Sequence, residues 1–186
     1  MSATGLVIVV LVVVVVAAAA LLLRPMLRRR RLREKFGPEY DRAVDAADDR
    51  RSGERELIER EHRHADLELR ELSPQQKQHY RTQWAGVQQQ FVDNPADAMT
   101  EADGLVTTMM ADRGYPTENY DQQLADLSVE HTAALGHYRT AHDIATQPNG
   151  VDVSTEDMRT AIVHYRELFQ DLLDDDTPNQ KKDAMS

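Results

Sequence analysis

Cysteine is missing from all 186 residues. That absence excludes disulfide staples, thiolate metal ligands, iron–sulfur clusters and cysteine nucleophiles, and it leaves the redox compartment open. Aromatic residues make up only 5%, with a single tryptophan, and the eight glycines never fall into G-x-G-x-x-G or into a loop ahead of Lys-Ser or Lys-Thr. The phosphate cradles built by the backbone N–H groups of such loops are therefore not expected. No G-x-S-x-G elbow occurs, and Ser73, Ser128 and Ser154 stand where helix caps belong, so no serine reads as a nucleophile. Beyond residue 35 there are 31 carboxylates, an abundance that removes their value as a sign of acid–base catalysis. The sequence is informative about placement and architecture and close to silent about chemistry.

What is present begins with a run of 19 residues, Gly5 to Leu23, without a charged or strongly polar side chain. As a helix it would extend about 28 Å, close to the hydrocarbon thickness of a bilayer. Valine is a mediocre helix former in water, but in lipid every backbone group must be paired within the segment, so a lone apolar run of this length is expected as a helix. Its fourteen Leu, Ile and Val residues favour insertion by roughly 4 to 8 kcal/mol. We therefore expect a single transmembrane helix at 5–23, preceded by a short tail at 1–4.

Orientation follows from the flanks. Only Met1 to Thr4 precede the run, whereas Arg24, Arg28, Arg29, Arg30, Arg31, Arg33 and Lys35 follow it in a juxtamembrane segment, 24–35. Basic residues are retained on the cytoplasmic side, which predicts a single-pass protein of the bacterial inner membrane with its body in the cytoplasm. The rival is an exported domain behind a signal peptide, but the basic n-region is absent, the apolar core is too long, and three leucines follow Ala17 to Ala20. The seven basic residues serve topology alone or also hold anionic lipid head groups. Residues 36–186 carry 15 basic against 31 acidic residues, a net charge of −16, which repels nucleic acid and the anionic leaflet and suits a protein partner with a basic surface.

The rest reads as helices. Phe36-Gly37-Pro38 ends any continuation of the anchor, with Pro38 at the first position of a short helix to about Ala47. An interruption is expected from Asp48 to Gly53, then a helix whose apolar stripe is Ile58, His62, Ala65, Leu69 and Leu72. Ser73-Pro74 starts the next helix, with Tyr80, Trp84, Val87 and Phe91 on one face as far as Asp93-Asn94-Pro95. Met99, Ala102, Val106 and Met109 mark another, stopped by Gly114 within Arg113-Gly114-Tyr115-Pro116. Leu124, Leu127, Leu135, Tyr138 and Ala141 follow, on one helix or on two that meet at Ser128. After Pro148-Asn149-Gly150, Ser154 with Asp157 resembles a capping box ahead of Met158, Ile162, Tyr165, Phe169 and Leu172. The expectation is an all-α chain: an acidic helical bundle over 36–173 and a disordered tail, 174–186, where Asp174 to Asp176 oppose the helix dipole. Gly86, Gly104 and Gly136 fall inside helices, where close helix crossing, a kink or a ligand-facing backbone would explain them.

Candidate sites are few. His62 and Asp66 share a helix face and have the spacing of two ligands for one ion, but His62 also lies on the apolar stripe, which makes a core-edge histidine the better reading. His131 and His142 lie too far apart to share one. The Asp174–Asp176 run lacks the glycine turn and terminal glutamate of a calcium loop. No cofactor, metal or catalytic residue is assigned, and the chain is not expected to be an enzyme. Tyr80, Trp84, Gln88 and Tyr138 are the candidates for a partner groove, because large side chains with polar tips dominate binding hot spots as well as small cores. A small-molecule or metal site between helices near Trp84 and Tyr138 is the alternative.

The segments FGPEYDR (Phe36 to Arg42), Ser73-Pro74 through Phe91-Val92-Asp93, Arg113 to Pro116, DLSVEH (Asp126 to His131), YRTAH (Tyr138 to His142) and His164-Tyr165-Arg166 together resemble a family of uncharacterised bacterial proteins. In that family a hydrophobic segment and a basic run precede a helical domain. The resemblance implies the architecture of 36–173 and carries no activity, cofactor or catalytic residue.

Overall fold

The computed structural model describes residues 3–146 and 153–175, all helix and loop, with no strand among them. The chain divides into two compact units, Met1–Ile58 and Glu59–Ser186.

In the first unit, α1 runs from Ala3 to Phe36 with Pro25 inside it. The basic segment is thus part of the same helix as the apolar run. Of the run's side chains only Leu11, Val12, Val13 and Leu23 are described, and all are more than half exposed. The span expected at 5–23 otherwise lies outside the described side chains; among the described residues no helix is long and apolar enough to cross a membrane. Gly37, at φ 48, turns the chain into α2, Pro38–Ala46, with proline in the first turn. Leu32, Phe36, Tyr40 and Ala43 are buried, and the Tyr40 hydroxyl donates to Glu54 Oε1 at 2.8 Å.

α3, Arg50–Ala65, begins earlier than the glycine suggested. The break is shorter than 48–53 because Gly53 is a contact residue: a Cβ there would lie 2.8 Å from the Ala43 carbonyl oxygen and from Val44 Cα. The buried face also differs from the expected stripe. Gly53, Leu57 and His64 are buried, whereas Ile58 is half-buried and His62 exposed. The helix ends at Ala65, so Leu69 and Leu72 belong to an extended segment. That segment crosses the end of α5, where Arg70 N donates to Arg113 O at 2.9 Å. Tertiary pairing of the backbone overrides the helical period there.

The second unit holds α4 (Pro74–Asp93), α5 (Pro95–Arg113), α6 (Tyr120–Leu127), α7 (Thr132–Ala145) and α8 (Thr155–Asp174). Ser73 caps α4 in a capping box with Gln76, and Ser154 caps α8 in one with Asp157. Asn94 and Asn119 cap α5 and α6. Gly114, at φ 94, closes α5 in the left-handed conformation, with Tyr115 N bonded to Met110 O at 2.9 Å. Its hydrogen is also required by space, since a Cβ would sit 2.6 Å from the Glu68 carbonyl oxygen. Gly86, Gly104 and Gly136 are different: a Cβ at any of them meets nothing within 4 Å, so close crossing does not explain them. The core takes in the expected α5 stripe of Met99, Ala102, Val106 and Met109 together with Trp84, Leu135, Tyr138, Tyr165 and Leu172, while Phe91, Met158 and Ile162 are only partly buried against it. α5 packs against both α4 and α8, and α8 packs most closely with α7.

Candidate functional site

The seven basic residues proposed to face head groups all lie on α1. Arg24, Arg28, Arg31 and Lys35 recur at steps of four, three and four, which puts them on one face, and all are exposed. Arg30 is paired with Glu34 at 2.8 Å, and Arg33 with Asp41 at 2.8 Å, its guanidinium 5.1 Å above the Tyr40 ring. Arg29 is half-buried. The basic run therefore holds an exposed stripe, in which the Lys35 ammonium also lies 5.9 Å over the Phe36 ring, beside residues whose ion pairs fasten α1 to itself and to α2.

Tyr80, Trp84, Gln88 and Tyr138 do not form one groove. Tyr138 is fully buried, its ring edge-on to Tyr165 at 5.8 Å and 6.2 Å from Tyr120. Tyr80 donates to Asp112 Oδ2 at 2.7 Å and borders an open hollow with His79, Gln83, Gly104 and Thr108. Trp84 stacks on Phe169 at 4.7 Å and, with Gln88, lines a groove of about 170 Å³. Its other walls are Phe91 of α4 and Arg159, Ile162, Val163 and Arg166 of α8. Trp84 and Gln88 thus line one groove, and Tyr80 and Tyr138 lie apart from it.

Two polar knots were not foreseen. Around Asp103 of α5, Oδ1 accepts from the Tyr165 hydroxyl at 2.7 Å and lies 2.8 Å from His142 Nδ1, while Tyr120 stacks on His142 at 4.0 Å. Burial, reinforced by Asp103, pushes the Tyr165 phenol well above its ordinary pKa, so it stays a donor.

The second knot is built on Arg113, which is 1% exposed. Its Nη1 donates to the carbonyls of Leu172 at 2.6 Å and Asp175 at 2.7 Å, and its Nη2 to Asp175 Oδ2 at 2.7 Å. α8 thus ends at Asp174 and Asp175 is clamped to Arg113, while residues 176–186 of the expected tail lie outside the described residues. Beside it, His131 holds Asp171 Oδ2 through Nδ1 at 2.8 Å and the Tyr115 hydroxyl through Nε2 at 3.1 Å. An arginine after a helical stripe reads as a dipole complement, and an aspartate at a helix end reads as solvated tail; only the long-range pairing of Arg113 with Asp175 reveals what these two do.

His62 and Asp66, the metal pair considered from spacing, are both exposed and belong to no donor cluster. Among the described residues the one trio with ligand atoms within 4.8 Å of one another is Glu130, His131 and Asp175, at a hollow shared with Asp171 and Asp174. The Asp175 oxygen nearest His131 is the one that Arg113 holds. A resident guanidinium at 2.7 Å opposes a second cation there.

Comparison with family models, curated proteins and solved structures finds no match for this chain, so the resemblance carried by FGPEYDR, RGYP and DLSVEH rests on those segments alone.

Proposed function

We propose that the chain is a membrane-anchored protein-interaction domain, an adaptor or envelope-associated factor, whose α1 crosses the bacterial inner membrane and whose acidic helical domain faces the cytoplasm. The observation that carries the reading is the uncharged run from Gly5 to Leu23 inside a 34-residue helix, followed directly by seven basic residues. The exposed Met26 and Leu27 extend the apolar surface beyond the run. The outward stripe of Arg24, Arg28, Arg31 and Lys35 sits where anionic head groups would lie, at about 1 kcal/mol per basic residue.

The reading includes no reaction. Buried titratable groups such as Arg113, His131, Asp126 and Tyr165 each have a partner that accounts for them within the fold. The partner's surface is basic, because residues 36–186 carry a net charge of −16 and the hollow at Glu130, Asp171, Asp174 and Asp175 concentrates that sign.

The test is extraction and capture. The full chain should remain in membranes washed at alkaline pH, chain lacking 1–35 should be released, and in-cell crosslinking should yield a partner with a basic surface only when 36–186 is present. Release of the full chain by the wash would overturn the anchor, and crosslinking with no protein recovered would overturn the interaction.

A further inference from the structure

We propose that the groove between α4 and α8 docks an acidic amphipathic helix of a partner protein, one large apolar side chain entering beside Trp84, Phe91 and Ile162 while two carboxylates meet Arg159 and Arg166. The groove exists because α4 and α8 both pack on α5 and hardly on each other, leaving a cleft bridged by the Trp84–Phe169 stack. Its volume of about 170 Å³ takes one large side chain, the size of pocket in which interface anchors concentrate binding energy.

Charge selects the occupant. Although the chain has 32 acidic residues, none of the described ones lines this groove. α4 carries Lys77 and Arg81 against the single acidic residue Asp93. Arg166 is exposed and makes no ion pair among the described residues. Among the described residues Arg159 pairs with its neighbour Glu156, both side chains more than 60% exposed, and such pairs are readily exchanged for an incoming carboxylate. The two arginines stand seven residues apart on α8, about 10 Å along its axis, which matches carboxylates two turns apart on a docked helix with the apolar anchor between them. Guanidinium groups favour such carboxylates over a neutral partner. The proposal rests on neither the anchor nor the basic partner surface, so it can fail or stand separately.

Trp84 is the only tryptophan, so its emission reports on the groove in the intact protein. The experiment titrates the full chain, in non-ionic detergent, with an alanine-based helical peptide carrying one leucine and a glutamate one turn on either side of it. A second peptide has lysines in place of the glutamates. The expected result is a saturable shift in Trp84 emission with the glutamate peptide alone. The double variant Arg159→Glu, Arg166→Glu should weaken that peptide by at least about tenfold and gain affinity for the lysine peptide. Both side chains are exposed, so far-UV circular dichroism should be unchanged. Emission unmoved by the glutamate peptide, moved equally by the lysine peptide, moved by protein concentration alone as a second copy would move it, or moved by phosphatidylglycerol micelles in place of the peptide would overturn the proposal.

Discussion

Replacing Arg113 by methionine should be the most damaging single surface-neutral change in the second unit. The side chain is 1% exposed, and its guanidinium makes three hydrogen bonds, two to backbone carbonyls at the end of α8 and one to Asp175, whose side chain is 11% exposed. Removing one partner of a buried ion pair costs about 3 to 5 kcal/mol, because the remaining charge and carbonyls lose their partners without regaining water. Asp175 ends the helix and can turn toward solvent, which places the expected loss near 3 kcal/mol, a large share of a total of about 5 to 15. Arg113→Lys keeps the charge but loses the fork that reaches two acceptors at once, so it should recover little. Asp175→Asn leaves both carbonyl bonds and should cost about 1 to 2 kcal/mol, with a coupling above about 1 kcal/mol in the double variant. The assay is urea unfolding followed by Trp84 emission, which reads α8 directly through the stack on Phe169. A loss under about 1 kcal/mol for the methionine variant, or full rescue by lysine, would refute the reasoning.

Further expectations can be checked with the same material. Gly53→Ala and Gly114→Ala should each destabilise, the first by collision with the Ala43 carbonyl and the second by strain at φ 94 and contact with Glu68. Gly86→Ala, Gly104→Ala and Gly136→Ala should each stabilise by about 0.5 to 1 kcal/mol in thermal melts, since the new methyl meets nothing. All six tyrosines have phenols raised above their ordinary value, chiefly by burial in every case. Folding therefore favours the protonated form, the tyrosines' contribution to stability is intact below about pH 10 and falls as pH rises beyond it, and phenolate absorbance should appear together with loss of helix rather than before it. His164 is lowered by burial and by His137, stacked on it at 4.4 Å. Its contribution is present above the free histidine value and lost as pH falls, so Tm should decline on acidification below about pH 6.5, and His164→Gln should flatten that slope.

The elements read correctly from sequence are those fixed by local chemistry. Ser73-Pro74 and Ser154 with Asp157 announce helix starts because an N-cap needs only its own next turn, and Gly114 announces a stop because a left-handed residue favours glycine. The stripes of α4, α5 and α8 hold because each helix buries one face. Errors arose where a distant partner decides. Leu69 and Leu72 keep a helical spacing, yet the Arg70 to Arg113 backbone bond draws their segment out straight. His64 rather than His62 is buried because, within the second unit, its ring stands 6.0 Å from that of Tyr115 and its Nε2 3.6 Å from Glu130. The groove was half legible: Trp84 and Gln88 share a face of α4, but Arg159 and Arg166 come from a helix some 70 residues on, and nothing local connects them. Tyr138 looked like Trp84 in sequence and differs only in what surrounds it.

The most direct test of the central claim uses the absence of cysteine. Ser2→Cys and, separately, Gln89→Cys on the exposed face of α4 give a single thiol before the apolar run and one in the helical domain. Labelling whole cells with a membrane-impermeant maleimide, before and after permeabilisation of the inner membrane, should modify the first at once and the second only after permeabilisation. Modification of Gln89→Cys in intact cells would place the domain outside the inner membrane and contradict the account.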